Sequence, residues 1–175
     1  MSLAHEINTV LHHCPTPAVS RAYRTRLKAG KLVRDENIHS HVCAYFVPNN
    51  PITKQVLIGD HKKSGLWLMP GGHVDAGQTL LETLNREIEE GLGVPEFFAT
   101  IPEPFLLSIT HIVTDVRPCR EHFDIWFLME TDGADFQIDY TEYHSVQWVT
   151  IPEARQTLLI QLIFLRSVAW RRCRK

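Results

Sequence analysis

No stretch of this 175-residue chain approaches the roughly 20 consecutive apolar residues that a bilayer-spanning helix needs, so no membrane partner is expected. An excess of one charge is also lacking. Eighteen Lys and Arg stand against 20 Asp and Glu, a net charge of -2, and nothing global points to a nucleic-acid polymer. Cysteine is sparse. The four at positions 14, 43, 119 and 173 form no CxxC pair and no metal-ligand spacing, and read as free thiols in a reducing cytoplasm. The ten histidines contain no HxxxH motif, and only His12 and His13 are adjacent, so most are expected on the surface or in loops. Glu6, Asn8 and His12 interrupt the N-terminal apolar residues, which does not fit a secretory signal. There is no internal repeat and no low-complexity linker.

What is present suits one folded domain with a short extension: 44% of residues are apolar and 22% charged. Leu3, Ile7, Val10 and Leu11 recur at helical spacing. Thr16-Pro17 can start a second helix that stops at Gly30. That helix carries Arg21, Arg24, Arg26 and Lys28, which read either as a solvated face or as an edge that attracts an anionic substrate. Residues 1–36 are therefore assigned to a helical N-terminal extension, and residues 37–175 to the main domain.

From Ile38 the pattern turns to strands. Residues 39–47 are rich in β-formers, Pro48-Asn-Asn-Pro51 is turn chemistry, and Gln55–Ile58 completes a hairpin. Leu66–Met69 is a short strand, broken by Pro70-Gly71-Gly72. Further strands are expected at 105–114, 122–130 and 145–149, a helix at 79–92, and a C-terminal helix from Pro152 to about Arg171. Within the last, Leu158–Leu165 is apolar on nearly every face. Core burial explains part of that, and a homodimer contact would explain the rest.

The segment from Pro70 to Val94 carries the chemistry. Gly71 and Gly72 let backbone turn tightly and approach a ligand. Leu80, Leu81, Leu84, Ile88 and Leu92 form an apolar stripe, and the other side bears Glu82, Arg86, Glu87, Glu89 and Glu90. At about 100° per residue, Glu87 and Glu90 lie within about 60° of each other. Two carboxylates on one face beside a glycine loop make a site for a hard divalent cation, or else simply an acidic solvated helix.

Gly72, Arg86, Glu87, Ile88, Glu90, Gly93 and Val94 stand in the gapless register of the Nudix box of the Nudix hydrolase family. The box reads G, five residues, E, seven residues, then R-E-U-x-E-E-x-G-U, where U is bulky and aliphatic. Trp67-Leu-Met-Pro-Gly-Gly before it, and Trp148-Val and Ile151-Pro-Glu-Ala154 after it, also resemble members of the family. The resemblance implies an α/β fold, a Nudix-type α/β/α sandwich with a mixed β-sheet. It implies a pyrophosphohydrolase that uses Mg²⁺ or Mn²⁺ on a nucleoside diphosphate-linked or related phosphorylated metabolite. The partner expected is therefore a small phosphorylated molecule, a nucleotide in the first instance.

Residue by residue, the resemblance implies metal ligation by Glu87, Glu90 and the Gly72 carbonyl, and catalytic roles for Glu87 and Arg86. Glu142, six residues before Trp148, reads as an exposed loop carboxylate or as an extra ligand or base. His61, Lys62 and Lys63, with Gly71 and Gly72, are the candidate phosphate-binding residues. Two box positions depart from the pattern. Gln78 replaces the first glutamate and can still accept a hydrogen bond from Arg86, without charge assistance. Gly91 replaces a glutamate that is commonly a metal ligand. Gly91→Glu is accordingly expected to restore a carboxylate and raise metal affinity. These two departures keep open a second class of function, a catalytically impaired Nudix-fold domain that binds a nucleotide or regulates.

Overall fold

The computed structural model describes residues 1–13, 17–112 and 118–162. Helices α1 (Leu3–His13) and α2 (Pro17–Ala29) come first. Strands β1 (Ser40–Asn50), β2 (Gln55–His61), β3 (Leu66–Leu68) and β4 (Gly71–His73) follow, then α3 (Leu80–Leu92). Strands β5 (Leu106–His111), β6 (Glu121–Glu130) and β7 (Tyr143–Thr150) lead to α4 (Ile151–Leu162). The expected continuation of α4 to Arg171 lies outside the described residues, as do Cys14, Thr16 and Cys173.

β1 is the central strand. It runs parallel to β6 along ten paired residues, from Ser40↔Glu121 to Asn49↔Glu130, and β5 closes that edge antiparallel to β6. On its other side β1 changes partner. Its last residues pair with β2 in the expected hairpin, and Cys43–Tyr45 pair antiparallel with β4. β2 also pairs with β3 and with β7. The sheet is thus mixed, with helices on both faces, as an α/β/α sandwich requires.

Alternation along the strands divides the core. Val42, Ala44 and Phe46 of β1 join Phe123, Ile125 and Phe127 of β6 beneath Leu80, Leu84, Ile88 and Leu92 of α3. Val47, on the opposite face, packs with Ala154 of α4 and with Trp67, Trp126 and Val149. Helices α1 and α2 share the first core through Ile7, Val10, Leu11, Val19 and Tyr23. Tyr23 also donates its hydroxyl to the Asp124 carbonyl at 2.7 Å, which ties α2 to β6.

Two expectations about the chain path are corrected. Pro48-Asn-Asn is the end of β1, and the turn falls three residues later, at residues 51–54, because Asn49 and Asn50 are engaged in the hairpin ladder. Gly71 and Gly72 do not form a turn. They are extended, as β4, because a short antiparallel pairing with β1 satisfies their backbone groups. Gly71 does need to be glycine. Its φ is 134°, and a Cβ there would collide with the Ala44 carbonyl and the Tyr45 backbone.

The N-terminus of α3 is held by a residue of α1. Leu80 donates its N–H to the buried Glu6 carboxylate at 2.5 Å, placing negative charge at the positive end of the helix. Glu6→Ala would leave that N–H unsatisfied and remove the anion. It is expected to cost about 2 kcal/mol, a typical value for a buried charged hydrogen bond. A urea titration checks this, and a midpoint unchanged from the parent would show that α1 does not brace the helix.

Candidate functional site

The helix of the box begins sharply because its sequence supplies its own cap. The Thr79 hydroxyl accepts from Glu82 N–H, and the Glu82 carboxylate accepts from Thr79 N–H at 2.8 Å. Helix α3 ends at Gly93, whose φ of 70° is left-handed. Between these caps the apolar stripe is buried, with Leu80, Leu84, Ile88 and Leu92 inaccessible to solvent. Arg86, Glu87 and Glu90 therefore face the loop from β4.

Arg86 joins loop to helix with all arms of its guanidinium. Nε donates to Gln78 Oε1 at 3.2 Å, and Nη2 donates to the His73 carbonyl at 2.9 Å. Nη2 also lies 3.4 Å from Asp75. Nη1 contacts both Glu87 and Glu90 at 2.8 Å. The bond expected between Gln78 and Arg86 is therefore present, and the charged partners of Arg86 are the carboxylates of the helix and of Asp75.

Glu87 and Glu90 converge on one nitrogen, so the two candidate ligands share one small region. Glu87 is the deeper, its side chain 13% exposed. Burial raises its carboxyl to about 7, Arg86 pulls it back, and Glu90 and Glu142 push it up again. Gly72 lies against it: a Cβ at Gly72 would run into the Glu87 carboxylate. The site thus brings the Gly72 backbone, Glu87 and Glu90 together, as anticipated.

Position 91 is approached by another segment of the chain. Gly91 is buried, and a Cβ there would make ordinary contacts with residues from the turn that leads into β7. A Cβ there would stand 3.4 Å from the Tyr143 hydroxyl and 3.7 Å from Glu142 Oε2. The Tyr143 ring also presses on Gly59, where a Cβ would meet ring carbons at 2.5 Å. Tyr143 is therefore wedged between two glycines, and the Glu142 carboxylate comes to the flank of the helix where the family pattern has its own glutamate. A glutamate side chain placed at Gly91 would stand beside both Tyr143 and Glu142.

Glu142 belongs to this region. His61 Nε2 stands 3.5 Å from Glu142 Oε1, and Lys62 N–H donates to the Glu142 carbonyl at 2.9 Å. The Lys62 ammonium reaches the Tyr140 carbonyl at 2.5 Å. The His61-Lys62-Lys63 loop is thus held against the segment that delivers Glu142.

Three histidines were missed by the surface-or-loop expectation. His41 is fully buried, and His73 and His122 are partly buried beside it with Cys43. Burial holds His73 down at about 4 and His122 at about 3, and lowers His41 as well, so the three imidazoles are neutral at pH 7. Their positions in the chain lie too far apart for any spacing rule to group them. The alternation His41-Val-Cys43 along a strand is the one local signal.

The candidate ligand atoms in the box region are all oxygens, the chemistry a hard cation such as Mg²⁺ or Mn²⁺ selects. The Glu87 carboxyl, raised first by burial and then by its carboxylate neighbours, is the kind of group that a cation relieves. The residues present fit such an ion. Among the described residues, no helix is long and apolar enough to cross a membrane.

Comparison with known proteins agrees with this geometry. The model of the NUDIX domain matches residues 39–166. A putative mutator protein MutT4 of Mycobacterium tuberculosis is 30% identical over 151 residues, covering 79% of this chain and 57% of that protein. An RNA pyrophosphohydrolase of Erythrobacter litoralis is 30% identical over 105 residues, covering 51% of this chain and 62% of its own. This chain thus spans about three fifths of the length of these curated relatives. In fold it is similar to the dihydroneopterin triphosphate pyrophosphohydrolase of E. coli. The TM-score is 0.54 at 21% identity, over 66% of this chain and 84% of that one. The MutT protein of Methanosarcina mazei gives a TM-score of 0.53 at 20% identity, over 67% and 82%. With the box in register, the sandwich around it and a family match over most of its length, this chain belongs to the Nudix family.

Proposed function

We propose that this protein hydrolyses a phosphoanhydride bond in a nucleoside diphosphate-linked or related phosphorylated metabolite, as a pyrophosphohydrolase dependent on Mg²⁺ or Mn²⁺. Position 91 carries this conclusion. The departure that argues most strongly against activity is offset by Glu142, whose carboxylate lies 3.7 Å from where a Gly91 Cβ would be. The candidate ligand set is then the Gly72 carbonyl, Glu87, Glu90 and Glu142. A bound divalent ion would neutralise phosphate oxygens and favour an attacking water.

The protein's own residues supply the remaining functions. Arg86 fixes the loop on the helix, so that the Gly72 carbonyl and the Glu87 carboxylate keep one separation. Glu142 or Glu87 accepts the proton of the attacking water as the P–O bond to the leaving phosphate breaks. His61 orients Glu142, and Lys62 and Lys63, on the same loop, offer cationic charge to the phosphates. The curated relatives support this substrate class, including an asymmetrical bis(5'-nucleosyl)-tetraphosphatase of Mus musculus, 30% identical over 91 residues.

The test is a screen of nucleoside di- and triphosphates, nucleotide sugars and dinucleotides, with Mg²⁺ and then Mn²⁺, reading released phosphate or pyrophosphate. Glu87→Gln and Glu142→Gln are each expected to lower kcat by about 10² to 10⁴. An unchanged rate for Glu142→Gln would remove Glu142 from the site. A parent protein that binds nucleotide but turns over nothing would establish the impaired, nucleotide-binding alternative.

A pair of substitutions at Gly91 tests how the site is filled. Gly91 is helical and a Cβ there makes only ordinary contacts, so Gly91→Ala is expected to raise stability by about 1 kcal/mol and keep activity. Gly91→Glu sets a carboxylate beside Glu142 and against Tyr143, and is expected to lower Tm without raising kcat. Thermal unfolding of both variants, with the same rate assay, checks this. A gain in turnover for Gly91→Glu would show that the position is open after all.

A further inference from the structure

Three strands bring four ligand-competent side chains to one face of the sheet. His41 and His122 are direct partners across the parallel β1–β6 pairing. Cys43 and His73 are direct partners across the antiparallel β1–β4 pairing. His41 and Cys43 are two apart on β1, so all four project to the same side.

The rings form a near-equilateral triangle, with centroid separations of 4.7, 4.9 and 5.0 Å. The Nε2 atoms of His73 and His122 are 3.3 Å apart. That is the separation of two nitrogens on a tetrahedral zinc ion, about 3.3 Å for Zn–N bonds of about 2.0–2.1 Å. One ligand atom from each of the four residues lies within 4.8 Å of every other. The widest pair must close by roughly 1 Å, which small χ rotations of imidazole allow.

The surroundings resemble those of a metal ligand set. His41 Nδ1 lies 2.9 Å from the Asn37 carbonyl. That bond places the proton on Nδ1 and the lone pair on Nε2, as outer-shell carbonyls do for ligating histidines. Nε2 faces the Cys119 thiol at 3.9 Å, a weak contact that an ion would displace. Asp124, opposite Cys43 in register, keeps a buried Oδ1 with no hydrogen-bond partner among the described residues. A cation beside it would offset that cost.

We propose that His41, Cys43, His73 and His122 form a binding site for a borderline transition-metal ion of the zinc class. Imidazole and thiolate select such ions over Mg²⁺. On binding, Cys43 loses its thiol proton to solvent and forms an S–metal bond, and the three neutral imidazoles donate lone pairs. Four protein ligands close the coordination sphere, which makes the site structural.

The site shares His73 with the box segment but faces away from the box carboxylates. A Cβ on Gly72 would point at Glu87, whereas His73, the next residue of β4, faces the opposite side. The two regions lie back to back across one strand, and Arg86 holds that strand by the His73 carbonyl. A metal on the histidine face would therefore stiffen the same strand that carries the Gly72 carbonyl.

The test uses full-length protein freed of any affinity tag, stripped with chelator and titrated with Co²⁺. One equivalent is expected to give a thiolate-to-cobalt charge-transfer band and intense visible bands of tetrahedral cobalt. Zn²⁺ should bleach both, and Mg²⁺ should bleach neither. Cys43→Ser is expected to lose the charge-transfer band, and Glu87→Gln to keep the full spectrum. Zn²⁺ should also raise the Tm of the stripped parent protein but not that of His122→Asn, with circular dichroism confirming that each variant folds. The proposal is overturned if the stripped parent takes up no stoichiometric Co²⁺ or Zn²⁺. It is equally overturned if Cys43→Ser leaves the spectrum intact, or if Glu87→Gln abolishes it.

Discussion

The site region depends on one side chain. The Arg86 guanidinium holds a loop oxygen, a strand carbonyl and two helix carboxylates at once, and its planar fork of five donors suits that task. A lysine ammonium could neutralise Glu87 or Glu90 but could not also direct fixed N–H bonds to Gln78 and His73. Partial burial makes the arrangement costly for any member left alone. Glu87 without Arg86 would be a buried carboxylate facing Glu90, and the β4 carbonyl would lose its donor. Hence the replacement of the first box glutamate by Gln78 is tolerated: the anchor is shared among several acceptors, and one of them can be neutral.

A second constraint is space. Tyr143 lies between Gly59 and Gly91, and its ring fits against β2 only because Gly59 has no side chain. Glu142 comes with it, since the two are consecutive where β7 begins. Two sequence features that look unrelated, a glycine in the last turn of the box helix and a Glu-Tyr pair some 50 residues later, are thus two sides of one packing arrangement. In this chain the acidic residue near position 91 comes from the turn before β7 instead of from the helix itself.

β4 links these parts to the rest of the fold. It has only three residues, and its pairing with β1 sets Gly72 toward the helix and His73 toward the opposite face. Three paired residues are a weak unit by themselves, so β4 depends on Arg86 from one side and on the packing of His41 and His122 from the other. Order on the histidine face and order at the Gly72 carbonyl are therefore mechanically joined.

The sequence by itself determined what depends on local spacing. The apolar stripe of α3, the stop at Gly30, the β1–β2 hairpin and the meeting of Gly72, Arg86, Glu87 and Glu90 all follow from residues within about 25 positions of one another. Helical periodicity and turn chemistry act over that range. Tertiary structure alone decided the rest. What stands beside Gly91 was decided by Glu142 and Tyr143, which reach it from a distant part of the chain. The histidine cluster turned on the register of β1 with both β4 and β6, and a slip of one residue in either pairing would turn its members to opposite faces. Gly71-Gly72 reads as a turn because glycine permits one; it is a strand because β1 offers backbone partners that no local rule foresees.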